Sequence, residues 1–348
     1  CSSSLVSVDL ACQSLRSGAS SLALAGGVNV ILSPRLSVSF SQAGMMAPDG
    51  RCKTFDARAN GYVRGEGCGI LVLRRLSDAT REGNRIWALI RGSAVNHNGR
   101  SNGLTAPHPQ AQRQVIARAL RQAGLEPGRI GYVEAHGSGT PLGDVIEVQA
   151  LAAALDSPPP AGPRCLLGSV KTNIGHLEAA AGVAGLLKTI LALQHGAVPA
   201  HLNLERLNPR LGAALERFEI PTRLTTWPRG KDEAPRAAGV SSFGFGGANA
   251  HLVLEEAPAF PQRAPLAEQP WQLFTLSARS WPALRAYAER WLEWLGREPR
   301  ASLAEICYAA NTERSQFSHR AALIVADRKE LLQRLQILWE CCAKLAAE

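Results

Sequence analysis

The chain has 348 residues, enough for one large domain or two ordinary ones, and its hydrophobic fraction of 46% suits a globular protein. No run of residues approaches the length of a membrane span, and the residues given contain no basic segment followed by an apolar one that would read as a secretory signal. The net charge is +9, but no basic block carries interleaved aromatics, so nucleic acid is not expected; a basic rim that attracts an acidic carrier protein fits better.

The opening residues predict a helix. Leu5, Val8, Cys12 and Leu15 recur at spacings of three and four, and Gly18 stops the run. Cys1 sits at or just before the start of that helix. The unpaired N–H groups and the dipole there favour an anion, so a thiol can be acidified into a nucleophile. Taken alone, the stretch reads first as a small buried cysteine, and the nucleophile is the second reading. The eight cysteines form no CxxC pair and no Cys/His spacing suited to zinc. Free thiols in a reducing cytoplasm, with no metal site, are therefore expected.

Residues 22–25 and 28–32 read as two buried strands with a bend at Gly26-Gly27. A loop-rich excursion covers 34–56, and the glycine-dense 61–69 leads into a strand at 70–76. A helical turn at 77–83 and a strand at 86–95 follow. Residues 109–124 are helical, with Val115, Ala119 and Leu120 facing inward and Gly124 as the stop. A strand at 130–134 runs into His136, a helix spans 141–155, and 156–162 is a proline-rich loop. A strand at 166–170 runs into Lys171 and His176, and a long apolar helix covers 177–194. Strands at 237–243 and 250–255 are joined by the glycine loop 244–249. This alternation predicts an α/β fold with a buried central sheet, its chemistry collected at the carboxyl ends of the strands. The composition shifts at 258–270, a linker. Beyond it, a strand, two helices, a strand and a final helix form a small separate α/β unit.

His136 and His176 share one context: each follows an apolar strand, lies in a glycine-rich turn and precedes a helix. Either alone reads first as a structural turn residue or a helix cap. Cysteine with histidine is the minimum for an activated nucleophile, and a second histidine can hold an oxyanion or move a proton. Lys171 ends a buried strand and, if buried, must be paired. Glu147 is its expected partner, and Asp144 is expected to compensate the helix dipole. The glycine loop can turn backbone N–H groups toward a developing oxyanion. It joins strands and opens no helix, so it is not a dinucleotide loop, and no P-loop motif occurs.

Four ordered blocks carry a family resemblance. They are Cys1-Ser2-Ser3-Ser4-Leu5, Glu134-Ala135-His136-Gly137-Ser138-Gly139-Thr140, the stretch from Lys171 to Gly182, and Ser242 to His251. Connecting segments at 45–53, 61–69 and 101–107 agree as well. The chain resembles the beta-ketoacyl synthase (ketosynthase) of modular type I polyketide synthases over residues 1–257. Over 258–348 it resembles the domain that links a ketosynthase to the following acyltransferase. The resemblance implies a thiolase-like fold and decarboxylative Claisen condensation. Cys1 takes the acyl chain, and His136 and His176 assist decarboxylation and hold the enolate. Lys171 balances charge near His176, with Glu147 in support. The N–H groups of Cys1 and Phe245 form the oxyanion hole, and Phe245 gates the acyl pocket. Ser138 and Thr140 bind the phosphopantetheine arm of an acyl carrier protein, and no cofactor is held by the domain itself. A homodimer through the strand near 28–32 and a downstream acyltransferase domain are implied partners.

Ser138 stands where the family usually has threonine, Val145 where it has proline, and Ala248 where it has threonine or alanine. The residues that precede the nucleophile in the family are absent from the sequence, so the isolated chain is expected to be poorly folded and inactive. The other functions weighed are a fatty-acid ketosynthase, a non-catalytic scaffold fragment and an N-terminal-nucleophile cysteine hydrolase.

Overall fold

The computed structural model describes residues 1–100, 103, 106–155, 164–259, 269–297 and 301–345. The expected loop at 156–162, most of the linker at 258–270 and part of the matched segment 101–107 lie outside the described residues. The chain forms two compact units, residues 1–260 and 261–348.

In chain order the first unit begins with α1 (Ser3–Arg16), β1 (Ala23–Asn29), α2 (Arg35–Gln42), β2 (Gly67–Leu73), α3 (Leu76–Arg81) and β3 (Ala88–His97). Next come α4 (Pro109–Ala123), β4 (Ile130–Glu134), α5 (Gly143–Ala154), β5 (Cys165–Gly168), the short α6 (Lys171–Ile174) and α7 (Ala181–His195). The minor strands β6 (Ala197–Val198), β7 (Phe218–Glu219) and β8 (Thr225–Thr226) lead to the hairpin β9 (Ala237–Phe243) and β10 (Ala248–Glu256).

The main sheet has the order β3-β10-β9-β4-β5-β7. Pairing is antiparallel from β3 through β10 to β9, then parallel from β9 through β4 and β5 to β7. Successive side chains of a strand point to opposite faces, and the sequence uses both faces for apolar contact. Val133, Leu167 and Val253 join Val115, Ile116, Val148 and Leu151 of α4 and α5 in one core. Tyr132, Leu166, Leu252 and Leu254 join Leu5 and Val8 of α1 and Leu186 of α7 in the other. Helices therefore cover both faces, as expected for strands without alternation. α1 lies close to α7 at Gly182, where a Cβ would stand 2.5 Å from Leu5 Cγ. Ser4 Oγ accepts the Val183 N–H at 3.0 Å across the same contact. Leu5 is fully buried, so Leu5→Ala should cost about 3 kcal/mol, read as a lower urea midpoint at unchanged slope.

Three expectations are corrected. The segment read as two buried strands with a bend is one strand, β1, paired antiparallel with β2. Its inward face packs through Ala25, but Leu24, Val28, Ile70 and Val72 of this pair are exposed and no described residue covers them. The stretch 34–56 is not all loop, because α2 occupies Arg35–Gln42. Lys171 does not end a strand: β5 closes at Gly168 and Lys171 opens the helical turn α6.

The second unit pairs β11 (Gln272–Ala278) antiparallel with β12 (His319–Val325). Helices α8 (Trp281–Arg297), α9 (Leu303–Thr312) and α10 (Arg328–Leu345) pack on this ribbon around Phe274, Leu284, Ile306 and Leu331. A reciprocal Ser302–Glu305 capping box starts α9.

Candidate active site

β4, β5 and β9 run parallel, so the segments leaving their carboxyl ends emerge at one edge of the sheet. β4 leads to His136, β5 to α6 and His176, and β9 to the glycine loop. The start of α1 is tied to the same edge. Ser242 Oγ donates to the Cys1 carbonyl at 2.9 Å, and Ser2 Oγ donates to the Ala248 carbonyl at 2.7 Å. Cys1, His136, His176, Phe243 and Phe245 line one cavity of ≈ 130 Å³, and Ser138, Thr140 and Glu147 line it too. The sequence-predicted residues are thus brought together, with Lys171 directly behind them.

The two imidazoles meet edge to face, with ring centroids 5.5 Å apart and planes at 82°. Tyr62 packs on His176 at 5.1 Å, and Phe243 on His136 at 5.8 Å. His176 Nδ1 accepts the Glu178 N–H at 3.0 Å. That bond places the ring proton on Nε2, which becomes a donor. Burial pushes both histidines well below the ordinary range, and the positive Lys171 pushes them the same way. Both are neutral donors at physiological pH.

The loop at 136–140 is held by buried carboxylates. Glu147 accepts the N–H groups of His136 at 2.7 Å and Gly137 at 2.8 Å. Asp144 accepts those of Gly139 at 3.0 Å and Phe55 at 2.9 Å. Asp144 therefore clamps loops where a dipole-compensating role was expected. Burial raises Asp144 to about 6 and Glu147 to about 7, against the pull of these N–H bonds. The expected Lys171–Glu147 ion pair is replaced by a different arrangement: the Lys171 ammonium donates to the His136 carbonyl. Burial lowers Lys171, while Glu134 and Glu147 oppose that fall through their charge. Gly137 has φ +44, and a Cβ there would stand 2.8 Å from both Ser169 Cβ and Thr54 Cγ2. Only glycine allows this turn.

Sequence reasoning missed Glu134. It is buried, accepts the Val170 N–H at 2.5 Å and the Tyr132 hydroxyl at 2.5 Å, and pairs with Lys188 at 2.9 Å. It fixes the start of the turn that carries Lys171. Its place at the end of the strand that leads to His136 was visible, but Tyr132, Val170 and Lys188 converge only in the fold. Glu134→Gln keeps the shape and removes the charge opposing the fall of Lys171. The expected outcome is a loss of about 2 kcal/mol in stability by urea denaturation, as the bonds from Tyr132, Val170 and Lys188 lose their charged acceptor.

His201 and His251 are also buried. Burial lowers them to about 4 and about 3, and they bond to the Thr54 carbonyl and the Ser241 hydroxyl. They line no part of the cavity. Four histidines with depressed values give stability that is full above the unfolded value near 6.5 and is lost as pH falls. Asp144 and Glu147, raised, work in the opposite sense. With four groups against two, the urea midpoint is expected to be lower at pH 5.5 than at pH 7.5.

Ser138 and Thr140 hydroxyls lie 3.2 Å apart on the cavity wall. Phe245 is 40% exposed, and its ring centroid lies 6.4 Å from that of Phe40 on α2. The glycine loop is braced by Asn249 Nδ2, which donates to Asn98 Oδ1 at 2.8 Å and Asn96 Oδ1 at 3.0 Å.

Residues 1–79 match the family model for the beta-ketoacyl synthase N-terminal domain, and residues 87–205 that for the C-terminal domain. The chain belongs to the beta-ketoacyl synthase family. Residues 272–335 match the model described as CurL-like, PKS C-terminal. Among curated relatives, one polypeptide of the phenolphthiocerol/phthiocerol polyketide synthase of Mycobacterium tuberculosis is 46% identical over 345 residues. That alignment covers 97% of this chain and 22% of the relative. A second polypeptide of the same synthase is 46% identical over 346 residues, 97% of this chain and 16% of the relative. The chain thus spans about a fifth of the length of these relatives. Among solved structures, the oxazolomycin ketosynthase domain OzmH KS7 of Streptomyces albus JA3453 has a TM-score of 0.89 at 39% identity. The match covers 98% of this chain and 59% of that one. The ketosynthase from module 6 of the bacillaene synthase of Bacillus subtilis 168 has a TM-score of 0.86 at 38% identity, covering 98% and 59%. The α/β architecture is the thiolase-like fold of these beta-ketoacyl synthases.

Proposed function

We propose that this chain contributes the condensing site of a modular polyketide synthase, with Cys1, His136 and His176 as its catalytic residues. The observation that carries the reading is the single cavity lined by that thiol and both neutral, buried imidazoles. The relatives and solved neighbours named above favour polyketide over fatty-acid chemistry.

In the first half-reaction the Cys1 thiolate attacks a carrier-bound acyl thioester. A new C–S bond forms, and the carrier thiol leaves with a proton. A malonyl-type extender on a second carrier then enters. Its C–C bond to the carboxylate breaks, CO2 leaves, and the electron pair moves onto the thioester oxygen as an enolate. The Nε2–H of His176 and a ring N–H of His136 hold that oxygen, a role that requires neutral histidines. The enolate carbon attacks the Cys1 acyl carbon. The resulting oxyanion is held by the backbone N–H groups of residue 1 and Phe245, and the Cys1 thiolate is expelled. The product is a β-ketoacyl chain longer by two backbone carbons.

In this scheme Lys171 and Glu147 hold the His136 loop and set its charge. Phe245, partly exposed and set beside Phe40, gates the acyl side. Ser138 and Thr140 grip the phosphopantetheine arm, so the substrates come on the prosthetic group of an acyl carrier protein. A downstream acyltransferase domain, a homodimer involving the exposed Val28 and Val30, and a reducing cytoplasm complete the proposed context. No described helix is long and apolar enough to cross a membrane.

The test is to supply an acyl pantetheine thioester and a malonyl pantetheine thioester together to this chain joined to the residues that precede the nucleophile in the family. The expected result is CO2 release with an equal amount of β-ketoacyl product. Acyl transfer to water with no carbon–carbon bond formed would contradict the scheme.

A further inference from the structure

Gln112 lies on α4 and is only 3% exposed, yet its Oε1 has no hydrogen-bond partner among the described residues. Buried amide oxygens are normally satisfied, and leaving one unpaired is costly. This side chain lines the cavity that also holds Cys1, Ser138 and Thr140. Its polar neighbours are engaged with each other. Asn249 Nδ2 bonds to Asn96 and Asn98, and Asn96 Nδ2 donates to the Ala111 carbonyl at 2.8 Å. Gln112 Oε1 remains an acceptor with no donor among the described residues, in a wall that leads to the thiol.

We propose that Gln112 is a substrate-binding residue whose Oε1 accepts an amide N–H of the pantetheine arm. The inference rests on the condensing-site reading above and extends it by one contact. The chemistry of the orphan selects the ligand group. An acceptor oxygen repels carboxylate and phosphate and needs a donor. The Glu147 carboxyl on the cavity wall is already taken by the His136 and Gly137 N–H groups, so an ammonium would find no free counter-charge there. A neutral secondary amide meets both conditions, and a pantetheine arm carries two such amides in series behind its sulfur. The Ser138 and Thr140 hydroxyls can donate to the amide carbonyls, while Gln112 takes an N–H. The arm is then gripped through both kinds of polar group, and the orphaned oxygen is satisfied only when substrate is present.

Binding of S-methylpantetheine to this chain joined to the residues that precede the nucleophile in the family, followed by NMR titration, tests this without requiring turnover. Four proteins are compared: wild type, Gln112→Met, Gln112→Glu and Ser138→Ala. The probe is also used in a form N-methylated at its amides. One net hydrogen bond is worth about tenfold in affinity. Gln112→Met is expected to weaken the unmethylated probe about tenfold. Gln112→Glu, read at about pH 5 where burial keeps the carboxyl protonated, retains a carbonyl acceptor and is expected to stay within about threefold. N-methylation should cost wild type about tenfold and Gln112→Met little. With no ligand present, Gln112→Met should melt no lower than wild type, because the oxygen it removes has no partner among the described residues.

Equal loss on both probes, or a lower melting temperature for Gln112→Met, would assign Gln112 a structural role and overturn the proposal. Unchanged affinity in Gln112→Met, beside a clear loss in Ser138→Ala, would overturn it while leaving the arm-binding site in place. Failure of wild type to bind the probe at all would remove the arm-binding site, and Gln112's role with it.

Discussion

Replacing His176 with alanine should lower condensation by about 10³-fold while acyl loading of Cys1 stays within about tenfold of wild type. The same division is expected for His136→Ala. Loading needs a thiolate and an oxyanion hole. Condensation needs, in addition, two neutral donors on the enolate oxygen. The Glu178 N–H on His176 Nδ1 fixes a donor at Nε2. Burial and Lys171 keep both rings uncharged. A protonated ring is never required, so the condensation rate should show no fall assignable to either histidine between about pH 6.5 and pH 8. Loading is read from the mass of the acylated chain, condensation from the β-keto product. Equal collapse of both steps in either variant would show that the histidines act on the nucleophile instead.

The second large effect is structural. Glu147→Leu removes the acceptor for the His136 and Gly137 N–H groups and a charge that opposes the fall of Lys171. Leaving these two buried N–H groups without an acceptor costs about 1–3 kcal/mol each, enough together to unfold many domains outright. Glu147→Gln keeps one acceptor oxygen and should lose less than half of that. Urea denaturation of the two variants measures the difference. A loss below about 1 kcal/mol for Glu147→Leu would mean that another group holds the His136 turn.

Much of the site was legible because its residues are marked locally. His136 and His176 each follow an apolar strand within a glycine turn, and the parallel pairing of β4 with β5 then brings them to one edge. Cys1 was read at the head of a helix, and α1 begins at Ser3. Partnerships were less legible, since they depend on convergence of distant segments. Lys171 was matched with Glu147 by charge alone, whereas the structure gives its ammonium the His136 carbonyl. Asp144 has the sequence signature of a dipole-compensating acid, yet its oxygens reach Phe55 and Gly139. β1 looked buried because apolar residues without alternation describe a two-sided core, yet Leu24 and Val28 on it are exposed. Helix α2 was hidden by its proline and serines, although it supplies Phe40 opposite Phe245.

The central claim is that Cys1 is the acyl acceptor. Incubation with a short acyl pantetheine thioester, followed by proteolysis and peptide mass spectrometry, tests it directly. The account predicts one acyl group on the peptide that begins with Cys1, and none on that peptide in Cys1→Ala. The other cysteines give contrast: burial pushes Cys12 up to about 11 and Cys165 up to about 12, so neither should compete. An adduct on Cys52 or Cys68, or equal acylation of wild type and Cys1→Ala, would contradict the account.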